Sequence, residues 1–151
     1  MSATITNHKA PRDYFIEDTV EAGIELTGTE VKSLRNNRAS IDDAFARIVR
    51  GQVFLFNAHI APYEQGNIHN HDPKRERRLL LHKKEIEKLF GKVSVKGRAL
   101  IPLKMYFKDG WAKVLLAVAK GKQRQDKRED LQRKADEREM ARELSRRRKK
   151  V

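Results

Sequence analysis

The sequence ALIPLKMYFKDGWAKVLLAVA, residues 99–119, contains two apolar runs separated by a short polar link. The runs ALIPLKMYF and WAKVLLAVA contain β-branched and aromatic residues and have the length of strands. The link KDG contains the glycine that a tight reversal of the chain favours. This stretch therefore predicts an antiparallel β-hairpin, which indicates an antiparallel fold rather than a parallel sheet.

Four further runs of the same kind precede this hairpin: YFIED, AGIELTGTEVKSL, FARIV and VFLFNAHI. The Gly-containing link RGQ between FARIV and VFLFNAHI predicts a second hairpin. About six strands with two or three helices give a mainly β fold, and a meander of this kind favours a barrel or a sandwich. Together with the basic composition, it indicates a small antiparallel OB-like barrel.

Two segments depart from the strand pattern. In HKKEIEKLFGKVSVKG, four apolar residues recur at the helical spacing i, i+3, i+4 and i+7: Ile86, Leu89, Phe90 and Val93. We expect this helix to cover one opening of the barrel. In SIDDAFARI, Ser40 can cap a helix, and Asp42 and Asp43 suit the positive amino end, so a second short helix is predicted there.

The composition points to a polyanionic partner. The 151 residues include 34 Lys and Arg against 21 Asp and Glu, a formal net charge of +13. The absence of cysteine excludes a disulfide framework and thiol chemistry. The amino end has no secretory signal pattern, and the longest apolar run, Val114 to Ala119, is too short to span a membrane. We therefore expect a cytoplasmic protein that does not bind a membrane.

The net positive charge is concentrated from Lys120 onward, since residues 120–151 carry +7 and the much longer segment before them carries +6. This tail has too few apolar residues to bury a core of its own. Basic residues recur at every fourth position: Lys134, Arg138, Arg142, Arg146 and Lys150. Each favourable i, i+4 ion pair contributes only about 0.2–0.5 kcal/mol, so an isolated helix is marginal and contact with a polyanion would favour it. A merely solubilising tail is the alternative.

The most enzyme-like cluster is His69, His71 and Asp72 in NIHNHDPKRERR. The aspartate stands one residue too early for a metallohydrolase motif, and the remaining histidines stand singly, so a polar loop is the better interpretation. No nucleophile elbow or phosphate-binding Gly-rich loop is present. We expect no catalytic residue, metal or cofactor, with an RNA-processing enzyme based on this cluster as the alternative.

Two blocks combine basic residues with apolar neighbours. In GTEVKSLRNNR, Glu30 is predicted at a strand end, and the residues after it suit phosphate or base contacts or an ordinary solvated surface: Lys32, Ser33, Arg35 and Arg38. In PKRERRLLLHKK, basic residues on both sides of three leucines would place charge at one rim of the barrel. Trp111 after a turn glycine is expected to pack at the rim, with base stacking as the alternative.

Several of these blocks occur in the same order in one known family. The matching blocks are NHKAPRDYFI, EAGIELTGTEVKSLR, HDPKRERRLLLH, IPLKMYF, GWAKVLLAVAKGK and DKR. The sequence closely resembles the bacterial tmRNA-binding proteins of trans-translation, also called SsrA-binding protein or small protein B. The resemblance implies a non-enzymatic OB-like protein that binds the tRNA-like domain of tmRNA.

The resemblance also assigns residues. In a body formed by residues 1–122 it implies an RNA-binding surface made of Asn7, Lys9, Asp13, Glu30, Lys32, Ser33, Arg75, Arg77, Gly121 and Lys122. We expect Glu30 to contact base or ribose donors directly and its removal to leave the body folded.

For the tail, residues 123–151, the resemblance implies a helix in the vacant mRNA channel of a stalled ribosome. Asp126, Lys127 and Arg128 match the family motif that acts at the decoding centre, although Gln125 stands where many members have His. The channel residues are Lys134, Arg138, Arg142 and Arg146. Ribosomal RNA and elongation factor Tu are implied partners. A general OB-fold single-stranded RNA-binding or ribosome-associated protein is the alternative.

Overall fold

The computed structural model describes residues 3–64, 70–122 and 124–149, and beyond residue 122 it describes the side chains of residues 128 and 131–145. The elements in chain order are β1 (Thr4–Thr6), α1 (Ala10–Asp13), β2 (Tyr14–Ile24), α2 (Gly28–Arg35), β3 (Ala39–Ser40), β4 (Phe45–Val49), β5 (Gln52–Phe56), β6 (His59–Ile60), β7 (Arg77–Leu80), α3 (Lys83–Val93), β8 (Arg98–Lys108), β9 (Trp111–Gly121) and α4 (Arg124–Lys149).

Six antiparallel strands close into a ring in the order β8-β4-β5-β7-β2-β9, because β9 also pairs with β8. β1 adds to the outside of the ring by pairing with the second half of β8, and β3 pairs with β6 in a separate two-stranded sheet. This closed ring confirms the predicted mainly β, OB-like barrel.

Both predicted hairpins are present, and their turns explain the glycines. Asp109 and Gly110 connect β8 to β9 with positive φ angles of 52° and 81°, and Arg50 and Gly51 connect β4 to β5 with 52° and 76°. Two-residue loops with positive φ at both positions match the right-handed twist of paired strands. A register shift between Pro102 and Lys104 interrupts the pairing of β8 with β9.

The core fills the ring with side chains that alternate along its strands. Val53 and Leu55 of β5, Leu79 of β7 and Val114 and Leu116 of β9 are buried in one cluster. Leu34 of α2 and Leu89 of α3 enter the same cluster, so both helices pack on the core. The helix predicted within HKKEIEKLFGKVSVKG is therefore confirmed as α3 (Lys83–Val93), although Phe90 of its apolar stripe remains exposed.

Three details of the prediction were wrong. The runs YFIED and AGI belong to the single strand β2, which pairs along its length with β9. The predicted strand AGIELTGTEVKSL ends at Ile24 and is followed by the helix α2. The sixth strand of the ring is β7, a segment predicted only as a core run between basic residues. The predicted number of strands was therefore right, and one of the six was misplaced.

The short helix predicted for SIDDAFARI is absent, and the segment instead turns into β4. The two acidic residues serve the amino-terminal segment rather than a helix of their own. The Asp42 carboxylate accepts a hydrogen bond from the His8 backbone N–H at 2.7 Å, and Asp43 forms an ion pair with Lys9 at 2.7 Å. From Phe45 the chain continues as the strand β4, in which Ala46 faces inward and Arg47 faces outward.

Contacts between Cα atoms divide the chain into two units, Met1–Gly121 and Lys122–Val151. The described part of the second unit is the 26-residue helix α4, which is about 39 Å long at 1.5 Å per residue. Every side chain described in it is exposed. None of the helices in the described ranges is both long and apolar enough to cross a membrane.

Candidate nucleic-acid interface

The helix α2 begins with a capping box formed by Thr27 and Glu30. The Thr27 hydroxyl accepts a hydrogen bond from the Glu30 backbone N–H, and the Glu30 carboxylate accepts one from the Thr27 backbone N–H at 2.8 Å. This reciprocal arrangement satisfies two amide groups that a helix start leaves without partners. The sequence TGTE at residues 27–30 has the pattern of this motif, which is the signal that identifies a helix here instead of a strand.

Glu30 is fully buried and lies between two arginines, Arg77 at the start of β7 and Arg75 in the segment just before it. Its Oε1 accepts from Arg75 Nη2 at 2.7 Å, and its Oε2 accepts from Arg77 Nε. Burial opposes ionisation of this carboxyl, but the hydrogen bonds from Arg75 and Thr27 and the charge of Arg77 outweigh it and lower the pKa of Glu30. The carboxylate therefore stays charged inside the protein.

Arg77 is also fully buried and connects three segments. Besides the ion pair with Glu30, its Nη1 donates to the Ala58 carbonyl at 2.8 Å and its Nη2 to the Pro73 carbonyl at 3.2 Å. Burial lowers the pKa of Arg77, and the charge of Glu30 opposes that change. This network fixes α2 against β7 and the loop that precedes it.

The buried positions change the roles predicted for this segment. Glu30, Ser33 and Arg77 are 0%, 1% and 0% exposed, so their side chains do not form part of the protein surface. The prediction that Glu30 contacts RNA directly is therefore inconsistent with its position, because a fully buried carboxylate cannot reach a base or ribose. Arg75 is partly exposed and can present one edge of its guanidinium group to solvent.

The exposed side of α2 carries Lys32, whose ammonium group lies 5.3 Å from the centre of the Tyr63 ring. A cation over an aromatic face is held by the quadrupole of the ring. Tyr63 was not singled out from the sequence, because nothing in its local pattern indicates a partner 31 positions earlier. The pair leaves the charge of Lys32 at the surface.

His71 attaches the loop before β7 to the start of α2. Its Nε2 donates to the Ile60 carbonyl at 2.9 Å, and its Nδ1 accepts from the Thr29 hydroxyl at 2.9 Å. Asp72 accepts from the Lys74 backbone N–H at 3.0 Å, as in an Asx turn. His69 lies outside the described residues, and among those described no group of three or more His, Asp or Glu side chains could hold a metal ion.

The amino-terminal segment is organised by Asn7, which is 3% exposed. Its side-chain Nδ2 donates to the Pro102 carbonyl at 2.9 Å, and its Oδ1 accepts from the backbone N–H groups of Lys9 and Ala10 at 3.0 Å each. Asn7 therefore fixes the start of α1 on β8 and is a structural residue. The hydrogen bond to Asp43 and the negative charge of Asp43 raise the pKa of Lys9.

The structure brings two of the predicted surface segments together. Tyr14, directly after Asp13, pairs with Gly121 at the end of β9. Asp13 is half-buried and accepts from Arg12 Nε at 3.2 Å, and Lys122 follows Gly121 in the chain. The segment of residues 7–13 and the end of β9 thus form one edge of the barrel, whereas Lys32 belongs to the α2 side.

In α4, the described basic residues Arg128, Lys134, Arg138 and Arg142 are exposed. Gln132 Nε2 donates to Asp136 Oδ1 at 3.1 Å, one turn further along the helix. The side chains of Asp126, Lys127 and Arg146 lie outside those described. The tail is helical in this structure, and its stripe of Lys134, Arg138 and Arg142 is open to solvent. That the helix depends on contact with a polyanion stays a prediction.

Comparison with known proteins places these features in a family. The model of the "SmpB protein" family matches residues 4–146. The SsrA-binding protein of Enterococcus faecalis is 60% identical over 138 residues, covering 91% of this chain and 90% of the relative. The SsrA-binding protein of Bacillus subtilis is 59% identical over 136 residues, with 90% and 87% covered.

A solved structure described as "tmRNA-SmpB: a journey to the center of the bacterial ribosome" has the same fold. It is 50% identical in sequence and superposes with a TM-score of 0.70, covering 85% of this chain and 94% of that one. The family match over residues 4–146 includes the barrel and reaches into the basic tail. On this agreement in sequence and fold, the chain belongs to the SmpB protein family.

Proposed function

We propose that this chain is a non-enzymatic RNA-binding adaptor of trans-translation, which binds the tRNA-like domain of tmRNA and delivers it to stalled ribosomes. The observation that carries the proposal is the family match over residues 4–146, with relatives of about 60% identity named SsrA-binding protein. The net charge of +13 fits a polyanionic partner. Action on the ribosome corresponds to a cytoplasmic location.

Two surfaces of the barrel are proposed to bind the RNA. One is formed by Lys9, Asp13 and Gly121 around the start of β2, with Lys122 as the next residue in the chain, and the other by Lys32 on α2. Exposed cations there can pair with phosphates, and backbone groups at the strand end can contact ribose. Division of the chain into a body of residues 1–122 and a tail of residues 123–151 belongs to the same proposal.

The buried network gives Glu30, Ser33 and Arg77 an indirect role in this proposal. Arg77 joins α2 to β7, so it fixes the position from which Lys32 projects. Asn7 acts in the same way on the segment that carries Lys9. These residues are positioning residues, and their removal should weaken RNA binding by displacing the surface.

The tail is proposed to detect the absence of mRNA. Its exposed basic residues suit the phosphate-lined wall of an empty channel, and mRNA would compete by occupying the same space. Asp126, Lys127 and Arg128 would act at the decoding centre, and Lys134, Arg138, Arg142 and Arg146 in the channel. Elongation factor Tu is the partner proposed to accompany the charged tmRNA complex.

Competition binding at fixed salt concentration tests the function of the body. The full chain is bound to a labelled tRNA-like domain and challenged with unlabelled copies or with unstructured RNA of equal length. Displacement by the folded RNA at a much lower concentration supports the adaptor. Equal displacement by both RNAs would support the alternative, a general single-stranded RNA-binding protein.

A further inference from the structure

The outer surface of the barrel at β4, β5 and β7 carries an unusual set of side chains. Alternation along these strands points Ala46, Leu55 and Leu79 into the core. The opposite face carries three half-buried phenylalanines and two arginines, here called the platform: Phe45, Arg47, Phe54, Phe56 and Arg78. Phe45 also packs against a smaller apolar cluster formed by Ala10, Ile101 and Ala119. Solvent-facing positions of an antiparallel sheet are ordinarily polar.

Cross-strand register brings the platform residues side by side. Phe45 is directly opposite Phe56, Arg47 is opposite Phe54, and Phe54 is opposite Arg78 on the other side. The rings of Phe45 and Phe56 are stacked, with centroids 5.4 Å apart and planes inclined by 14°. The platform is thus a continuous row of aromatic and cationic groups across three strands.

Arg47 lies over this row. Its guanidinium carbon is 5.0 Å from the Phe45 ring centre and 6.0 Å from that of Phe56. Arg78 forms an ion pair with Glu25 at 2.5 Å, whereas Arg47 has no ion-pair partner among the described residues. Neither β4, β5 nor β7 contains an Asp or Glu, so the platform has local positive charge without acidic residues of its own.

A solvent-open groove adjoins the platform. It has a volume of about 560 Å³, and its lining includes Phe45 and Arg47 together with Tyr14, Phe90 and Arg98. Sites for small organic ligands commonly measure roughly 300–1,000 Å³. Phe90 is 59% exposed, so this groove offers another aromatic surface to a planar group.

We infer that the platform and its groove bind unpaired nucleotides of RNA. Single-stranded nucleic acid is bound by aromatic rings that stack on bases and by cations that contact the phosphate backbone, and both are present here in adjacent positions. A protein partner would be expected to bring acids to Arg47 but does not require a row of aromatic rings beside it. The site lies on the face of β7 opposite Arg77, and it goes beyond the binding of a folded RNA domain.

The test uses single-stranded oligo-adenylate and the full-length chain. In a Trp111→Phe background, Phe54→Trp introduces one fluorophore into the platform, and stacking of adenine is expected to quench its emission on titration. In the otherwise unchanged chain, Phe56→Leu and Phe54→Leu should each weaken oligo-adenylate binding about fivefold or more, because leucine keeps apolar area but loses the stacking face. Arg47→Gln should weaken it as well.

Trp111→Leu tests the competing stacking site, since Trp111 is 73% exposed and lies outside the platform. This variant is expected to bind oligo-adenylate as the parent does, and circular dichroism melting establishes that the platform variants are folded. Loss of binding by Arg47→Gln with none in either Phe→Leu variant would overturn the inference in favour of charge attraction alone. Equal loss in Trp111→Leu, or no quenching of the Phe54→Trp emission at saturation, would overturn it too. Binding of the tRNA-like domain, measured on the same variants, reports separately on the proposed function.

Discussion

Glu30 and Arg77 form an ion pair in which neither side chain is exposed to solvent. Removing two charges from water is unfavourable, and the pair is retained because each partner has further hydrogen bonds: Glu30 with Thr27 and Arg75, Arg77 with two carbonyl groups. The pair holds a helix that carries an exposed lysine. The ion pair therefore contributes both to the stability of the body and to the position of Lys32 on its surface.

Glu30→Ala is expected to lower the free energy of unfolding by about 3–5 kcal/mol, because it leaves Arg77 charged and buried without its partner. Urea denaturation measures this change. The double variant Glu30→Leu with Arg77→Met should be destabilised by less than the sum of the two single changes, since it removes both charges. Stability unchanged in Glu30→Ala would contradict the buried pair and restore the direct RNA contact predicted from sequence.

Stability should fall in acid because of the same carboxyl. The folded-state pKa of Glu30 is lowered from its ordinary 4.5, so its contribution is fully present above that value and is lost as the pH falls through the folded pKa. Urea midpoints measured between pH 7 and pH 3 should decrease below about pH 4.5. Glu30→Gln should show a shallower decrease over this range, and an identical slope in both proteins would assign the effect to other groups.

Asn7→Ala is expected to destabilise the protein by about 1–3 kcal/mol, because the Pro102 carbonyl and the N–H groups of Lys9 and Ala10 lose their partner. Hydrogen exchange at the Lys9 and Ala10 amides should be faster in this variant than in the parent protein. Thr4→Ala, at an exposed position of β1, is the control. Unchanged exchange at both amides would show that α1 is fixed by other contacts.

Ending the chain after Lys122 is expected to leave affinity for tmRNA nearly unchanged and to abolish tagging on stalled ribosomes, since the tail is proposed to act in the mRNA channel. Filter binding and a reconstituted tagging reaction measure the two effects. A full-length variant with Lys134, Arg138 and Arg142 changed to Gln keeps the helix but removes its charge. Loss of tmRNA affinity as large as the loss of tagging would identify the tail as an electrostatic anchor.

Much of the barrel could be predicted because its signals are local. The links KDG and RGQ mark the two hairpins, and the spacing of Ile86, Leu89 and Val93 marks α3. The predicted strand over residues 22–34 was wrong because apolar composition was given more weight than the capping pattern at Thr27 and Glu30. The helix predicted at residue 40 was wrong because its acids bind a segment more than 30 positions earlier.

The site was less predictable than the fold, because burial is decided by tertiary contacts. Residue type alone makes Glu30 and Arg77 resemble surface charges, and only the closure of the ring brings them together across 47 positions. The platform has a similar origin. Phe45, Phe54 and Phe56 lie in runs that were predicted only as strands, and the register between β4 and β5 places them together on the outer face.

Closure of the six-stranded ring also bears on how this basic protein behaves at high local concentration. RNA collects many copies of a cationic protein along one molecule, which brings sheet edges of neighbouring copies close to one another. Unpaired edges would then template intermolecular strand pairing and aggregation. Within the ring every strand has a paired neighbour on both sides, although β2 pairs with β7 only at Gly23 and Ile24 and β4 pairs with β8 only at Ala46. Closure therefore shortens the open edges that neighbouring copies could pair with. The closed ring thus limits strand pairing between copies of the chain that bind the same RNA.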